Sequence, residues 1–481
     1  MTKKTKTTLF FSLVAIFIII APLLILYSQG YRFDFQKGKI IRTGGLFLKI
    51  SPSGSNIYID HRLTKKTNFV FDSVFLNNLL PKKYHILVKK DGYYSWNKTL
   101  EIEEAKVTEA KNIVLFKKDI TPSLVAENID DLFVSPSKKD IILKKKTENG
   151  WELYLFNLEN QNKELLLKSS DFYLFSQSKK PTLGASLVEI IWSSDSKKIL
   201  LNVEIDKLEK FFIFDLSRKN NFAQLSIGKN KIIKAFFNPK NSEEIIFLEK
   251  ALKQKVVAKT ELILFDKDLR EQEIDTKSLG DYNILDIVNT SNYIFWLSEN
   301  GFVYKGIIEN NKLKILEVLN LKPINISPRD EYKLKIQPNE NIFLLVNKTL
   351  FYLDPFTHNF KWVLDNVENI KLSLDSKILG ILTNNQIWLF WLKDDYQQPQ
   401  RMTYDKLPLL TSNQKLNDLF WFDLYHIIFT TPNSVKITEI DNRSNLNVVD
   451  IVQLNEPEIF WNFSLKKLLI LSKNNLFEIK F

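Results

Sequence analysis

Over most of this chain short apolar runs alternate with short polar turns, and one turn phrase returns five times. It stands as Ser135-Pro136-Ser137-Lys138-Lys139, Ser193-Ser194-Asp195-Ser196-Lys197, Asn238-Pro239-Lys240-Asn241-Ser242, Ser373-Leu374-Asp375-Ser376-Lys377 and Asn462-Phe463-Ser464-Leu465-Lys466. Each copy lies between two apolar runs: Ile191-Trp192 leads to Ile199-Leu200-Leu201, and Phe460-Trp461 leads to Leu468-Leu469-Ile470. Runs this short, bounded by turn residues, predict strand, tight turn, strand. Counting inner strands gives eight units, starting near Asp131, Ile190, Ile233, Ile284, Tyr332, Asn369, Asp418 and Glu458. Third strands follow, for example Glu152–Phe156, Phe211–Asp215 and Gln386–Phe390. A mean spacing of about 47 residues suits the four-stranded blades of a β-propeller better than a solenoid, which needs a fixed short period. Seven blades remain the alternative if the fourth unit is irregular.

The last unit reaches Phe481 with only three strands, and Thr121–Ala126 stands before the first unit without a partner. We expect that piece to pair with Asn475–Phe481 as the missing outer strand, because closure removes edges that would template aggregation. The fold expected is mainly β, with a C-terminal propeller over residues 119–481.

The N-terminal pattern differs. Leu9–Tyr27 carries no charge and follows Lys3, Lys4 and Lys6. As a helix these nineteen positions cover about 28 Å, close to the hydrocarbon thickness of a bilayer. The run exceeds the core of a cleaved signal peptide, and Ile25-Leu26-Tyr27-Ser28-Gln29 lacks a small-x-small exit. It therefore predicts an uncleaved signal anchor in residues 1–30, tail inside and body outside, although Arg32, Lys37, Lys39 and Arg42 blunt the charge asymmetry. Residues 31–43 read as a juxtamembrane linker.

Residues 44–118 read as a separate small β-sandwich. Phe47–Ile50, Asn56–Asp60, Tyr84–Lys90, Lys98–Ile102 and Ile113–Phe116 are strands, parted by turns at Ser51–Ser55, Leu80–Lys83 and Asp91-Gly92. Val107–Lys111 suggests at best one short helical turn. Gly54 and Gly92 suit turns that need positive φ. Pro52, Gly54, Ser55, Tyr58 and Asp60, then Leu80, Pro81 and Tyr84, then Lys90, Gly92 and Tyr93 follow in order. In that order they resemble the PEGA domain. Ser55 replaces its Ala, Lys82 its Gly, and Thr67-Asn68 stands for its Thr-Pro pair. The resemblance implies an exposed sandwich used for binding or spacing near a membrane, with no activity attached. Tyr58, Tyr84 and Tyr93 are expected to be packing residues. The five turn phrases in turn resemble the Ser-Pro-Asp-Gly-Lys turn of WD40-like, TolB-type propeller repeats, with the Gly always replaced.

Composition narrows the chemistry. A net charge of +11 invites a nucleic-acid partner, but the lysines alternate with apolar residues along strands, so none is expected. With no cysteine, disulfides, thiolate metal sites and a Cys nucleophile are excluded. His61, His85, His358 and His426 have no metal-ligand spacing. Gly-x-Ser-x-Gly, phosphate-loop, dinucleotide and calcium-loop motifs are missing. Carboxylate pairs (Glu103-Glu104, Asp130-Asp131, Glu243-Glu244, Asp394-Asp395) fall at strand ends, where solvated charge is ordinary. Trp421 and Trp461, on inner strands, could be blade packing or a carbohydrate-stacking surface. No catalytic residue, cofactor or metal is expected, and no ligand-binding residue can be named. The expected function is a membrane-anchored extracytoplasmic binding or scaffold protein. It would contact the membrane through Leu9–Tyr27 and an envelope protein or polysaccharide through its loops. The alternative is a propeller hydrolase or lyase acting on a cell-surface polysaccharide.

Overall fold

The structure, a computed structural model, describes residues 3–35, 37–67, 72–175, 185–217, 222–225, 231–250, 260–265, 284–309 and 312–481. Asn68, part of the expected Thr-Asn pair, lies outside them. The chain forms two compact units: residues 1–121 with 373–380 and 386–455, and residues 122–372 with 381–385 and 456–481. Its fold is mainly β, a β-propeller preceded by one apolar helix and a small sandwich.

In the first unit, helix α1 (Lys3–Ser28) has Pro22 inside it and no buried face. It is long and apolar enough to cross a membrane, and those properties suit both an anchor and a signal sequence. The stretch read as a linker instead folds as a hairpin, β1 (Tyr31–Asp34) against β2 (Lys39–Arg42). Seven strands follow: β3 (Gly44–Ser51), β4 (Asn56–Ile59), β5 (Arg62–Lys66), β6 (Ser73–Leu79), β7 (Lys83–Lys89), β8 (Trp96–Glu101) and β9 (Val107–Val114). They make two sheets, in the orders β6-β3-β9 and β5-β4-β7-β8. Leu46, Leu48 and Ile50 of one sheet meet Ile57, Ile86 and Val88 of the other in a common core. Gly54 and Gly92 both have φ +78°, as their turns require.

The short helical turn expected at Val107–Lys111 does not form. β9 runs through it, parallel to β3, with Leu46 opposite Thr108 and Leu48 opposite Ala110. Thr108 and Ala110 are buried while Val107 and Lys111 face outward. That period-2 burial against a sheet outweighs the helix preference of Glu109, Ala110 and Lys111.

From Ser123 to Lys480 the described residues form eight sheets, each begun by one of the eight inner strands. Seven have four strands, and the third shows three among the described residues. The fourth, from Ile284–Asn289 to Lys312–Val318, is regular. Burial explains the continuous apolar runs. Ile378–Thr383, His426–Thr431 and Lys467–Ser472 are second strands buried at every position. A strand covered on both faces has no polar side to show.

The turn phrase works through its first and fourth residues. Ser193 Oγ accepts the Lys198 N–H at 2.9 Å, and Ser373 Oγ accepts that of Ile378 at 2.9 Å. Where the repeat resemblance would place Gly, Lys138, Ser196 and Ser376 have φ of 58°, 62° and 59°. The turn geometry survives the loss of Gly at a cost in backbone strain. In the second unit, the strand Ser123–Glu127 pairs antiparallel with Asn475–Lys480, Ser123 opposite Glu478 and Glu127 opposite Asn475. Ala126 and Ile129 then share a cluster with Leu469, Leu471 and Leu476.

Candidate functional site

In the first unit charged, aromatic and backbone groups converge where β8 and β9 meet side chains of the sixth and seventh blades, residues 367–411 and 419–453. Strand alternation sends Trp96, Lys98 and Leu100 of β8 to the same buried side. Leu100 finds the sandwich core, but Lys98, with no exposed surface, finds Glu439 at 2.8 Å. Its Nζ also donates to the carbonyls of Asp441, at 2.6 Å, and Asn445, at 3.0 Å. The other Glu439 oxygen accepts the Trp96 indole N–H at 2.9 Å. Asn447 donates to Glu439 at 2.6 Å and to the Asn97 carbonyl at 2.9 Å. A charge pair this deep is tolerable only because its remaining hydrogen-bonding capacity is met.

β9 is the outer strand of its sheet, and its edge is covered by side chains. The Gln398 amide accepts the Glu109 N–H at 2.9 Å and donates to the Val107 carbonyl at 3.0 Å, the pair of bonds a neighbouring strand would make. Arg443, paired with Asp441, donates to the Glu109 carbonyl at 2.9 Å. Beyond Gln398 the edge opens on a narrow cleft lined by Lys111, Ile113, Trp391, Arg401 and Tyr425. Lys111, Ile113 and Tyr425 also line an adjoining open hollow that reaches Lys49, Asp72 and His426. Trp391 is buried, and its indole N–H has no acceptor among the described residues. The Arg401 guanidinium lies 5.4 Å from that ring. A buried donor without a partner is rare enough to call for an explanation.

In the hollow, His426 Nδ1 lies 2.9 Å from both Asp423 oxygens. Burial pushes the Asp423 carboxyl up. The His426 charge and hydrogen bond, with the backbone N–H groups of Tyr425 and His426, outweigh it and hold the group below the usual carboxylate range. Burial, reinforced by Asp395 and Asp375, raises the Tyr425 phenol.

Other residues singled out from sequence are scattered. Trp421 and Trp461 are buried, Trp461 edge-on to Phe481, so both pack blades and offer no stacking surface. Tyr84 is buried and donates to the Leu80 carbonyl at 3.1 Å. Lysines lie beside the rings of Tyr58 and Tyr93. The described carboxylates of the pairs have local partners: Asp394 holds Thr403, Asp130 accepts from Asn474, and Glu244 holds Asn238 and Asn241, while the Glu243 side chain lies outside the described residues. His61 and His85, distant in sequence, stack at 5.3 Å, and no metal-binding group of three appears among the described residues. Sequence reasoning missed Lys98, Glu439, Gln398 and Trp391. It also missed a recurrent device at the inner strands, where Asp131, Asp286, Asn369 and Asp418 each accept the N–H of the next residue at 2.8 Å. An Asp or Asn at or just after those unit starts was its visible signal.

No protein-family model and no curated protein matches the chain. Among solved structures it is similar to the C-terminal WD40 domain of Sif2, at 11% identity and TM-score 0.46, covering 76% of this chain and 98% of that one. It is also similar to BamB from Moraxella catarrhalis, at 9% identity and TM-score 0.42, covering 75% and 98%. The β-propeller domain of Myceliophteria thermophila Cps50 (Swd1) aligns at 11% identity and TM-score 0.38, covering 76% and 99%. At such identities and scores these likenesses carry nothing about partners or chemistry.

Proposed function

We propose that the chain is a single-pass membrane-anchored binding or scaffold protein, with its tail inside and its body extracytoplasmic. In this reading α1 is the anchor, residues 44–118 are a PEGA-like sandwich, and residues 119–481 are the propeller. The partner is a protein of the cell envelope, and an extended segment of it lies in the cleft beside β9. The unpartnered indole N–H of buried Trp391, a residue that lines the cleft beside the Gln398 amide, carries the proposal: a partner's carbonyl that displaces the covering side chains would satisfy it. An extended peptide supplies carbonyl acceptors at regular intervals, and strand addition to a sheet edge is a common way to recognise one. Recognition without bond chemistry also suits the cleft's carboxylates: Glu439 is held by Lys98, Asp441 by Arg443, and Asp395 accepts the Gln397 N–H at 3.0 Å.

The test is binding of the detergent-solubilised full chain to arrays of extended peptides and of envelope glycans. Peptide binding that weakens about tenfold in Trp391→Phe, the size of one hydrogen bond, supports the reading. Binding to glycans alone, or binding indifferent to the substitution, overturns it.

A further inference from the structure

Three large apolar side chains gather in solvent on the hairpin that follows α1. Phe33, Phe35 and Ile40 are 47%, 89% and 54% exposed. Phe33 stands opposite Ile40 in the ladder, and the Phe35 ring meets that of Phe33 edge-on at 5.1 Å. The other face turns inward, with Asp34 and Ile41 buried. Asp34 accepts the Lys37 N–H at 3.2 Å and is the only acid between Tyr31 and Arg42, against Arg32, Lys37, Lys39 and Arg42. The hairpin thus presents an apolar face within a basic rim.

It is also fastened to the helix. The Arg32 guanidinium stacks 3.5 Å from the Tyr27 ring and donates to the Tyr27 carbonyl at 2.8 Å. Thr43 Oγ1 donates to the Gly30 carbonyl at 2.7 Å. If α1 crosses a bilayer, Tyr27 lies at the edge of the hydrocarbon. Four-residue strands, about 13 Å long, cannot then carry the hairpin far from that edge. Aromatic and basic side chains favour that layer.

We infer that the hairpin Tyr31–Arg42 is a membrane-contact element: Phe33, Phe35 and Ile40 dip into the headgroup layer while its lysines and arginines rest on anionic lipid. The inference depends on the membrane-anchor reading of α1. It adds a second point of contact, so that the sandwich following Thr43 is held at a fixed tilt.

Because the chain has no native cysteine, single fluorescent labels can be placed at Lys37→Cys or Phe17→Cys of the full chain. Each is reconstituted in nanodiscs of phosphatidylcholine and phosphatidylglycerol, with lipids spin-labelled either near the headgroup or deep in the tail. The position-37 label should be quenched several-fold more by the shallow lipid and the position-17 label by the deep one. Adding Phe33→Ser, Phe35→Ser and Ile40→Ser should abolish shallow quenching at position 37 and leave position 17 unchanged. An unquenched position 37 beside a quenched position 17 overturns the inference and leaves the anchor standing. An unquenched position 17 overturns both. Quenching at position 37 that survives the three serines shows proximity without insertion and overturns the role of the apolar face.

Discussion

Two contacts join segments of this chain more than 340 residues apart, and they use opposite means. In the second unit, Ser123–Glu127 meets Asn475–Lys480 through a backbone ladder above an apolar cluster. In the first, β8 meets the seventh blade through Lys98, Glu439, Trp96 and Asn447, a buried polar network. The ladder tolerates many sequences, because any alternating strand can make it. The network tolerates few, because removing one member leaves a buried charge or donor without its partner. The seam is therefore held by quantity, the clamp by fit.

The sharpest way to break this comparison is Lys98→Met. It should cost about 4 kcal/mol by leaving the Glu439 charge buried and unpaired, read as a fall in the denaturant midpoint. Lys98→Met with Glu439→Gln, which keeps an acceptor for Trp96, should recover a good part of that loss; equal losses in the two would remove charge from the explanation. Leu476→Ala at the seam should cost about 3 kcal/mol as an ordinary cavity, with no rescue from a neutralising partner. Smaller and opposite in sign, Lys138→Gly should gain about 1 kcal/mol or less by relieving a left-handed backbone, seen as a raised melting temperature. The smallest effect belongs to Glu458, whose carboxyl is pushed up by burial, with Asp131 adding to it. A raised carboxyl pKa makes the folded state bind its proton more tightly than the unfolded one, so the penalty exists at neutral pH and disappears as pH falls below the raised value. Glu458→Gln should thus raise the melting temperature slightly at pH 7, and that gain should vanish in acid.

The same contrast governs what could be read from sequence. The eight inner strands and the partner of Ser123–Glu127 were legible because apolar periodicity and a missing strand are one-dimensional signals. Lys98 was not. Within Trp96-Asn97-Lys98-Thr99-Leu100 it looks like any lysine that alternates with apolar residues, and only Glu439, 341 positions on, removes it from solvent. β9 was misread because its burial depends on β3, not on its own residues. Nothing in Gln398 or Trp391 marks the cleft, since a side-chain amide standing in for a strand leaves no pattern behind.

The pairing of Ser123–Glu127 with Asn475–Lys480 also orders events in time. A ribosome making 5–20 residues each second needs on the order of tens of seconds to pass from one segment to the other. For that interval the early strand waits with its edge bare, open to whatever extended chain is near. A message cut short before Asn475 never relieves it, so a truncated product carries its own mark of incompleteness for a protease or chaperone to find.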